Sequence, residues 1–552
     1  MIIMTNKELA DLMYPNVSKT ISDYEKMYPE RNLPEGAVVS RYAPSPTGFV
    51  HVGNMLACFI ENFVPNQTEG VFYLRIEDTD QKREIEGGID NIVDAIKTIG
   101  LDYKEGVISK DKEVGDYGPY IQSKRIDIYH TFAKYMIEND LAYPCFCTQE
   151  EIDASREEQK INKTRIGYYG EYAVCRNLTN EERAEKIKAG CPYTIRLKSR
   201  GNFNNKVKFH DLVKGDVMFP ENDQDIILIK SDGIPLYHFA HVVDDHLMRT
   251  THVLRGEDWL PSVPVHLELF NMFGFKLPEY AHLGLMMIVD KEGTKRKISK
   301  RKDKDFAVKH FHEIGMPEAA MQEYLITIAN TSFEGWRDNN LDKSIYDYKF
   351  DFSKIGSNPL FDYSKILNIS RNYISKLSAE VVYEKLADWA REYDLDFYNL
   401  ISKYKEYTIN ILNIEREQAK PRKDFACYSE IKSYIWYMFD ELFNSCDKKY
   451  EWQNISDIDE IKNIMNVYIS KYYDSNDDKD TWFSKMKDLA TELGYAANVK
   501  DYKNNPDDYK GSIVDISMVI RVCLTTKSMT PDLYDIMKLL GVDRIKNRIS
   551  IL

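Results

Sequence analysis

The feature that most constrains this chain is a proline-rich break set between a short apolar strand and a long helix. Ala37 to Tyr42 reads as a buried strand, and it runs into Pro44-Ser45-Pro46-Thr47-Gly48. Prolines fix φ and remove backbone donors, so this stretch continues neither a strand nor a regular helix. A helix pattern begins just beyond Gly53. Val71 to Ile76 reads as a second strand, closed by the acidic Glu77-Asp78-Thr79-Asp80. An amphipathic helix follows, with Ile85, Ile89, Ile92, Val93, Ile96 and Ile99 on one face. Strand, loop, helix, strand, helix is the opening of a doubly wound α/β domain.

From Lys124 to about Pro235 the pattern changes to a polar helix, a cysteine-bearing segment and β-like stretches such as Tyr193-Thr194-Ile195-Arg196-Leu197. This region reads as an insertion splitting the α/β domain, whose strand character resumes at Ile226 to Lys230 and Thr251 to Leu254. Leu283 to Val289 is one further strand-sized stretch. Beyond about residue 375 the chain is rich in lysine, tyrosine and isoleucine at helical spacing, which predicts a separate all-α domain. Residues 1–35 read as a polar extension with a helix carrying Ile21, Tyr24 and Met27, and no chemistry is assigned to them. No internal repeat is legible.

At 552 residues, 43% hydrophobic and 29% charged, two to five globular domains are expected. No apolar run approaches the ~20 residues that span a bilayer, and the start lacks a signal-like segment. Eight cysteines in so long a chain are no disulfide framework, which points to a reducing cytoplasm. The net charge of −14 argues against a general nucleic-acid coat but leaves room for local basic patches.

Two segments carry phosphate chemistry. In Pro44 to Asn54 the glycines allow close backbone approach, and the helix N-terminus behind them is an anion site. His51 there is placed to meet phosphate oxygens as charge builds up; a helix cap or a satisfied loop histidine is the competing reading. In Lys295 to Lys304, seven of ten residues are basic, too many to bury. Such runs are commonly solvated surface, but Gly293 and the apolar strand before it suggest a flexible loop leaving a sheet edge. Its lysines would reach a triphosphate and stabilise departing pyrophosphate.

Both signatures in this order resemble those of the class I aminoacyl-tRNA synthetases. His51-Val52-Gly53-Asn54 is similar to their HIGH motif, with Asn54 at the fourth position, and Lys297-Ile298-Ser299-Lys300-Arg301 to their KMSKS motif. The flanking segments Arg41 to Gly48, Leu74 to Asp80, Gly118 to Ser123, Lys230 to Gly233, Val242 to His246, Leu254 to Trp259 and Leu539 to Arg548 resemble the glutamate-specific family. The resemblance covers about residues 36–552, dense up to Lys302 and thin from 380 to 510. Asp80 separates the chain from the glutaminyl enzymes, whose counterpart typically ends in asparagine.

The resemblance implies a split Rossmann-type catalytic domain (36–123 and 237–275) around an inserted acceptor-stem-binding domain (124–236). It implies a stem-contact region with the KMSKS-type loop (276–375) and a helical anticodon-binding domain (376–552), where lysines alternate with aromatics in Lys403-Tyr404-Lys405-Glu406-Tyr407. It implies ATP with Mg2+, L-glutamate and tRNA(Glu) as substrates, tRNA(Gln) standing open as a second acceptor, and a cytoplasmic monomer without a membrane. His51, Lys297 and Lys300 would contact the phosphates, with Gly53, Asp258 and Ser299 completing the ATP site. A carboxylate substrate calls for a planar, permanently charged partner; Arg41 and Arg255 stand at the family's substrate positions. Glu77 would meet the α-ammonium, and Ala43, Ser45 and Tyr237 complete the pocket. His241 stands where some relatives carry an amide.

Cys145-Phe146-Cys147 and Cys175 lie where some members hold structural zinc. Zinc wants four ligands, and the usual fourth position is Asn177, a poor one; Tyr172 is the substitute within reach. Three free thiols in a domain that has lost its metal is the preferred reading, and a zinc site the alternative. Rival functions fit less well. A tRNA-modifying paralogue would lack the C-terminal helices, a small nucleotidyltransferase would be far shorter, and a non-catalytic tRNA-binding scaffold would be expected to lose His51, Lys297 and Lys300.

Overall fold

In the computed structural model, which describes residues 4–290, 292–298 and 303–550, strand β1 (Val39–Tyr42) is buried at every residue. That is the burial expected where both faces of a parallel sheet are covered. β2 (Val71–Leu74) runs parallel to β1 with Val39 opposite Val71 and Tyr42 opposite Leu74. β3 (Glu105–Ser109) extends the sheet in parallel, and β4 (Lys112–Val114) folds back on β3 as a hairpin. β2 ends short of Ile76 because Ile76 pairs instead with Ile121, its N–H donating to the Tyr120 carbonyl at 2.8 Å. The isoleucine face predicted after β2 is carried by the helix Gly88–Thr98, which Gly87 opens in the left-handed region. Ile85 therefore falls ahead of the helix and is exposed, whereas Ile89, Ile92, Val93 and Ile96 are buried.

The region predicted as an insertion builds its own sheet. β5 (Ala142–Cys145) and β6 (Thr194–Leu197) are antiparallel, β7 (Lys206–Asp211) and β8 (Gly215–Pro220) form a hairpin, and β9 (Ile227–Ile229) pairs with β6. The chain then returns to the first sheet. The Thr251 N–H donates to the Val39 carbonyl at 2.9 Å, which sets β10 (His252–Gly256) beside β1, and β11 (Glu279–Leu283) runs parallel to β10. The sheet β1-β2-β3-β4 and the sheet β10-β11-β7-β8 thus meet side by side at β1 and β10. From this seam the chain winds outward in opposite senses, to β2 on one side and to β11 on the other. Ligands bind at such switch points, beyond the carboxyl ends of the strands. Asp211 at the end of β7 pairs with Tyr280 and ties the hairpin to this sheet.

The stretch Leu283 to Val289 is two strands, not one. Gly284 interrupts it, packed so tightly that a Cβ there would lie 2.3 Å from the Asn358 nitrogen, and β12 (Met287–Val289) begins beyond. β13 (Lys295–Lys297) pairs antiparallel with β12.

The N-terminal extension is strapped to this body. Arg31 grips Glu105 bidentately at 2.7 and 2.9 Å, and the Tyr28 hydroxyl donates to the Gly118 carbonyl. The helix Asn6–Met13 packs on the inserted region, with Lys134 on Asp11 at 2.7 Å. Of Tyr24 and Met27, predicted on one face, only Tyr24 is buried.

The chain divides into two compact units, Met1–Phe311 with Met321–Asp362 and His312–Ala320 with Tyr363–Leu552. The second is built of helices around Leu386, Ile431, Phe443, Met486 and Ile520. Its closing helix, Leu533–Ser550, is kinked at Gly541, which takes a positive φ. No helix among the described residues is long and apolar enough to cross a membrane.

Candidate active site

At the carboxyl ends of β1 and β10 lies a cavity of about 440 Å³. Its walls bring together Arg41, Ala43, Ser45, His51, Gly53, Glu77, Tyr237, Arg255, Asp258 and Lys297, drawn from six separate stretches of the chain. Ser299 and Lys300 lie outside the described residues. His241 is not on the wall. It is fully buried behind Tyr237, their rings stacked at 5.5 Å, with Nδ1 facing Asp245 at 2.7 Å and Nε2 facing the Tyr280 hydroxyl at 3.0 Å. The sequence places His241 among the glutamate-binding residues; in the structure it stands behind the wall, and Tyr237 lies between this ring and the cavity.

His51 is the N-cap of the helix Val52–Gln67. Its Nδ1 accepts the Asn54 N–H and the Asn54 Oδ1 accepts the His51 N–H, both at 3.3 Å. An accepting Nδ1 leaves the ring proton on Nε2, as a donor. The cap and the phosphate contact are therefore compatible roles, and Asn54 supplies the return half of a capping box. Gly53 serves this arrangement directly, since a Cβ there would sit 3.0 Å from the His51 Nδ1.

The two arginines differ in their partners. The Arg41 Nε reaches both oxygens of Asp245 at 3.1 and 3.2 Å. Arg75 shares that carboxylate at 2.6 Å and turns its other nitrogen to Glu77 at 3.0 Å. Burial works against the Asp245 charge, but Arg41 and Arg75 hold this carboxyl well below the usual range. Arg255 has only neutral acceptors: the Tyr237 hydroxyl at 3.1 Å, His266 Nδ1 at 3.3 Å and His282 Nε2 at 3.0 Å. Among the described residues no carboxylate lies within ion-pair distance of it, and its nearest compensation is Asp211, 2.6 Å from the far nitrogen of His282.

Lys297 reaches the cavity from β13, so this part of the basic run is a strand and not the flexible loop expected. Arg296 beside it is bound to Asp303 through both terminal nitrogens at 2.7 Å.

The three cysteines converge too. Their sulfurs lie within 4.8 Å of one another, and the Tyr168 hydroxyl stands 3.3 Å from both Cys145 and Cys147. Zinc–sulfur bonds of ~2.3 Å in a tetrahedron put sulfurs about 3.8 Å apart, and Cys147 and Cys175 are separated by 3.6 Å. The fourth donor at hand is Tyr168. Tyr172, the substitute considered from sequence, instead turns its hydroxyl to Thr164.

Sequence reasoning missed Glu61, Asp211, His266 and His282. A glutamate inside the apolar run Met55 to Val64 and a histidine inside the strand Tyr280-Ala281-His282-Leu283 were the available signals.

A doubly wound sheet with this cavity at its switch point, a capped histidine on one wall and a basic hairpin on the other is the catalytic architecture of class I tRNA synthetases. Residues 37–340 match the family described as "tRNA synthetases class I (E and Q), catalytic domain", and residues 507–552 match an anticodon binding domain. The glutamate–tRNA ligase of Clostridium perfringens (strain 13 / Type A) is 47% identical over 99% of this chain and 100% of its own length. That of Acetivibrio thermocellus is 44% identical over 99% and 100%. The solved glutamate tRNA ligase of Elizabethkingia meningosepticum, in complex with its amino acid, shares the fold with a TM-score of 0.74 at 24% identity, covering 93% of this chain and 99% of that one. The chain belongs to the glutamate–tRNA ligases within class I.

Proposed function

We propose that the chain activates L-glutamate with Mg-bound ATP to glutamyl-adenylate and transfers the glutamyl group to the 3′ end of tRNA(Glu), releasing diphosphate and AMP. The observation that carries the reading is Arg255, a cation lining the cavity with three neutral acceptors and, among the described residues, no carboxylate in contact. Such a group seats an anionic side chain. Arg41 adds positive potential, Glu77 faces the α-ammonium, and Ala43, Ser45 and Tyr237 shape the remainder. The His51 Nε2 proton and the Lys297 ammonium stand on the wall where the triphosphate would lie, with Lys300 and Ser299 assigned to the same task by sequence; Gly53 and Asp258 complete the nucleotide side. No covalent nucleophile is needed, because positioning and charge stabilisation suffice. Cys145, Cys147, Cys175 and Tyr168 fit a structural zinc, outside the chemical steps. Eight cysteines without a disulfide spacing support a cytoplasmic setting, and the chain is read as a monomer.

Aminoacylation assays crossing glutamate and glutamine with purified tRNA(Glu) and tRNA(Gln) test the proposal. Glutamate on tRNA(Glu) is expected, and its absence overturns the reading; glutamate on tRNA(Gln) would identify a second acceptor. Lys300→Ala should lower adenylate formation by orders of magnitude with glutamate affinity retained.

A further inference from the structure

Glu61 lies in the middle of the helix Val52–Gln67 and lines the same cavity as Arg41, Glu77 and Tyr237. It is only 3% exposed. Its backbone carbonyl accepts the Ser40 hydroxyl, which pins this turn of helix against β1. Its Oε2 is buried and has no hydrogen-bond partner. A carboxyl oxygen shut off from water with no donor to meet it cannot carry charge cheaply, so this side chain favours its neutral, protonated form.

We propose that Glu61 is a further specificity-determining residue of the amino-acid pocket, its carboxyl group meeting the side-chain carboxylate of the substrate in the cavity it lines with Arg41 and Arg255. The inference rests on the glutamate-activating reading above.

Two carboxyl groups attract only when one carries a proton, which then forms a short O–H···O⁻ bond of the charge-assisted class. The charged and titratable groups facing Glu61 are Arg41 and Tyr42 from β1, Cys58 from its own helix, Glu77 beyond β2 and Asp245 from the helix Tyr237–Leu247. Burial pushes the Glu61 carboxyl up, Arg41 opposes, and Asp245 and Glu77 push it further, to about 8. Arg41 does not demand an ionised Glu61, because Asp245 already balances it at 3.1 Å. At neutral pH Glu61 is therefore the acid, and a bound carboxylate favours that form more. An amide side chain would accept the same O–H without the charge, so the contact selects glutamate over glutamine.

The sign follows from the raised value. The donor is present below about pH 8 and lost above it, where a second negative charge faces the substrate. The test is steady-state glutamylation of tRNA(Glu) by the full chain from pH 7 to 9.5, recording KM for glutamate and for ATP. For the unaltered chain, glutamate KM should rise about tenfold per pH unit above that point, with ATP KM not following. Glu61→Gln keeps an N–H donor and cannot ionise, so its curve should lose the upward limb and report the titration of every other group. Glu61→Ala should raise glutamate KM about tenfold or more at pH 7. A wild-type curve that superposes on that of Glu61→Gln overturns the proposal. So does Glu61→Gln shifting glutamate and ATP KM together as far as Glu61→Ala, the mark of a merely structural role. Absence of any glutamate transfer overturns the functional reading itself and this inference with it.

Discussion

His282 accepts the Arg255 Nε at its Nε2, 3.0 Å away, and presents its Nδ1 to Asp211 at 2.6 Å. One imidazole thus relays a carboxylate's field to a buried guanidinium without touching the face of Arg255 that lines the cavity. Burial opposes the charge on Asp211, but the His282 hydrogen bond and the Lys214 and Val213 N–H groups hold its carboxyl low. Asp211→Asn removes that field and frees His282 to turn, so glutamate KM should rise about tenfold while ATP KM stays put. Arg255→Lys is harsher. A point charge cannot make the three-way fork, and losing two charge-assisted bonds of roughly 1.5 kcal/mol each lowers kcat/KM for glutamate on the order of 100-fold. Equal effects on both substrates would contradict this placement.

Asp245→Asn should destabilise the protein by about 3–5 kcal/mol, because it leaves the buried Arg41 on a neutral side chain and Arg75 with Glu77 alone. Urea unfolding followed by tryptophan fluorescence reads the loss. Stability within about 1 kcal/mol of the parent would mean that the arginines find other compensation.

Acid should weaken the first unit earlier than carboxylate titration alone would. Burial and the Arg255 charge hold His238 down at about 4, and burial holds His241 at about 3. The unfolded chain takes up these protons near pH 6.5 while the folded one refuses them. Stability is therefore full above about 6.5 and falls as pH drops toward 4, by at most about 1.4 kcal/mol per pH unit for each histidine. Unfolding curves at pH 7.5 and 5.0 that coincide would refute the buried neutral assignment.

Gly53→Ala places a Cβ against the His51 ring, at 3.0 Å from Nδ1 and 3.1 Å from Cε1. The ring must move or lose its cap, so kcat should fall by about 100-fold with little change in glutamate KM; a misaimed phosphate contact of this kind is a transition-state loss.

Metal analysis of purified protein should find about one zinc per chain. Tyr168→Phe should weaken retention against a chelator by at least about tenfold, whereas Tyr172→Phe should not, since only Tyr168 reaches the sulfurs. A metal-free chain with unchanged stability would return the segment to the free-thiol reading.

What the sequence disclosed follows physical reach. The strand, proline break and helix around Pro44 to Gly53 were legible because prolines and glycines act locally. The arginines were legible because a carboxylate substrate demands their chemistry. Asp211 and His282 were not, standing 71 residues apart on strands whose neighbours reveal nothing of the pairing. Glu61 looked like one polar residue in an apolar helix. Lys295 to Lys297 hid a strand inside a charge run, since its partner Met287 to Val289 supplies the apolar half of the hairpin. Spacing along the chain does not show that the Tyr168 hydroxyl, and not that of Tyr172, folds back to the sulfurs.

The backbone bond joining Thr251 to Val39 has a consequence for the order in which this molecule is made. The partners are 212 residues apart, so at roughly 5–20 residues per second a ribosome needs about 10–40 s to deliver the second after the first. Throughout that interval β1 has β2 on one side and a bare edge on the other, with Arg41 and Arg75 awaiting Asp245. An open strand edge invites foreign pairing, and the inserted region is what the nascent chain is spinning out meanwhile. The wait ends only when the segment from Tyr237 to Leu283 leaves the exit tunnel, bringing β10 beside β1 and Asp245 to Arg41.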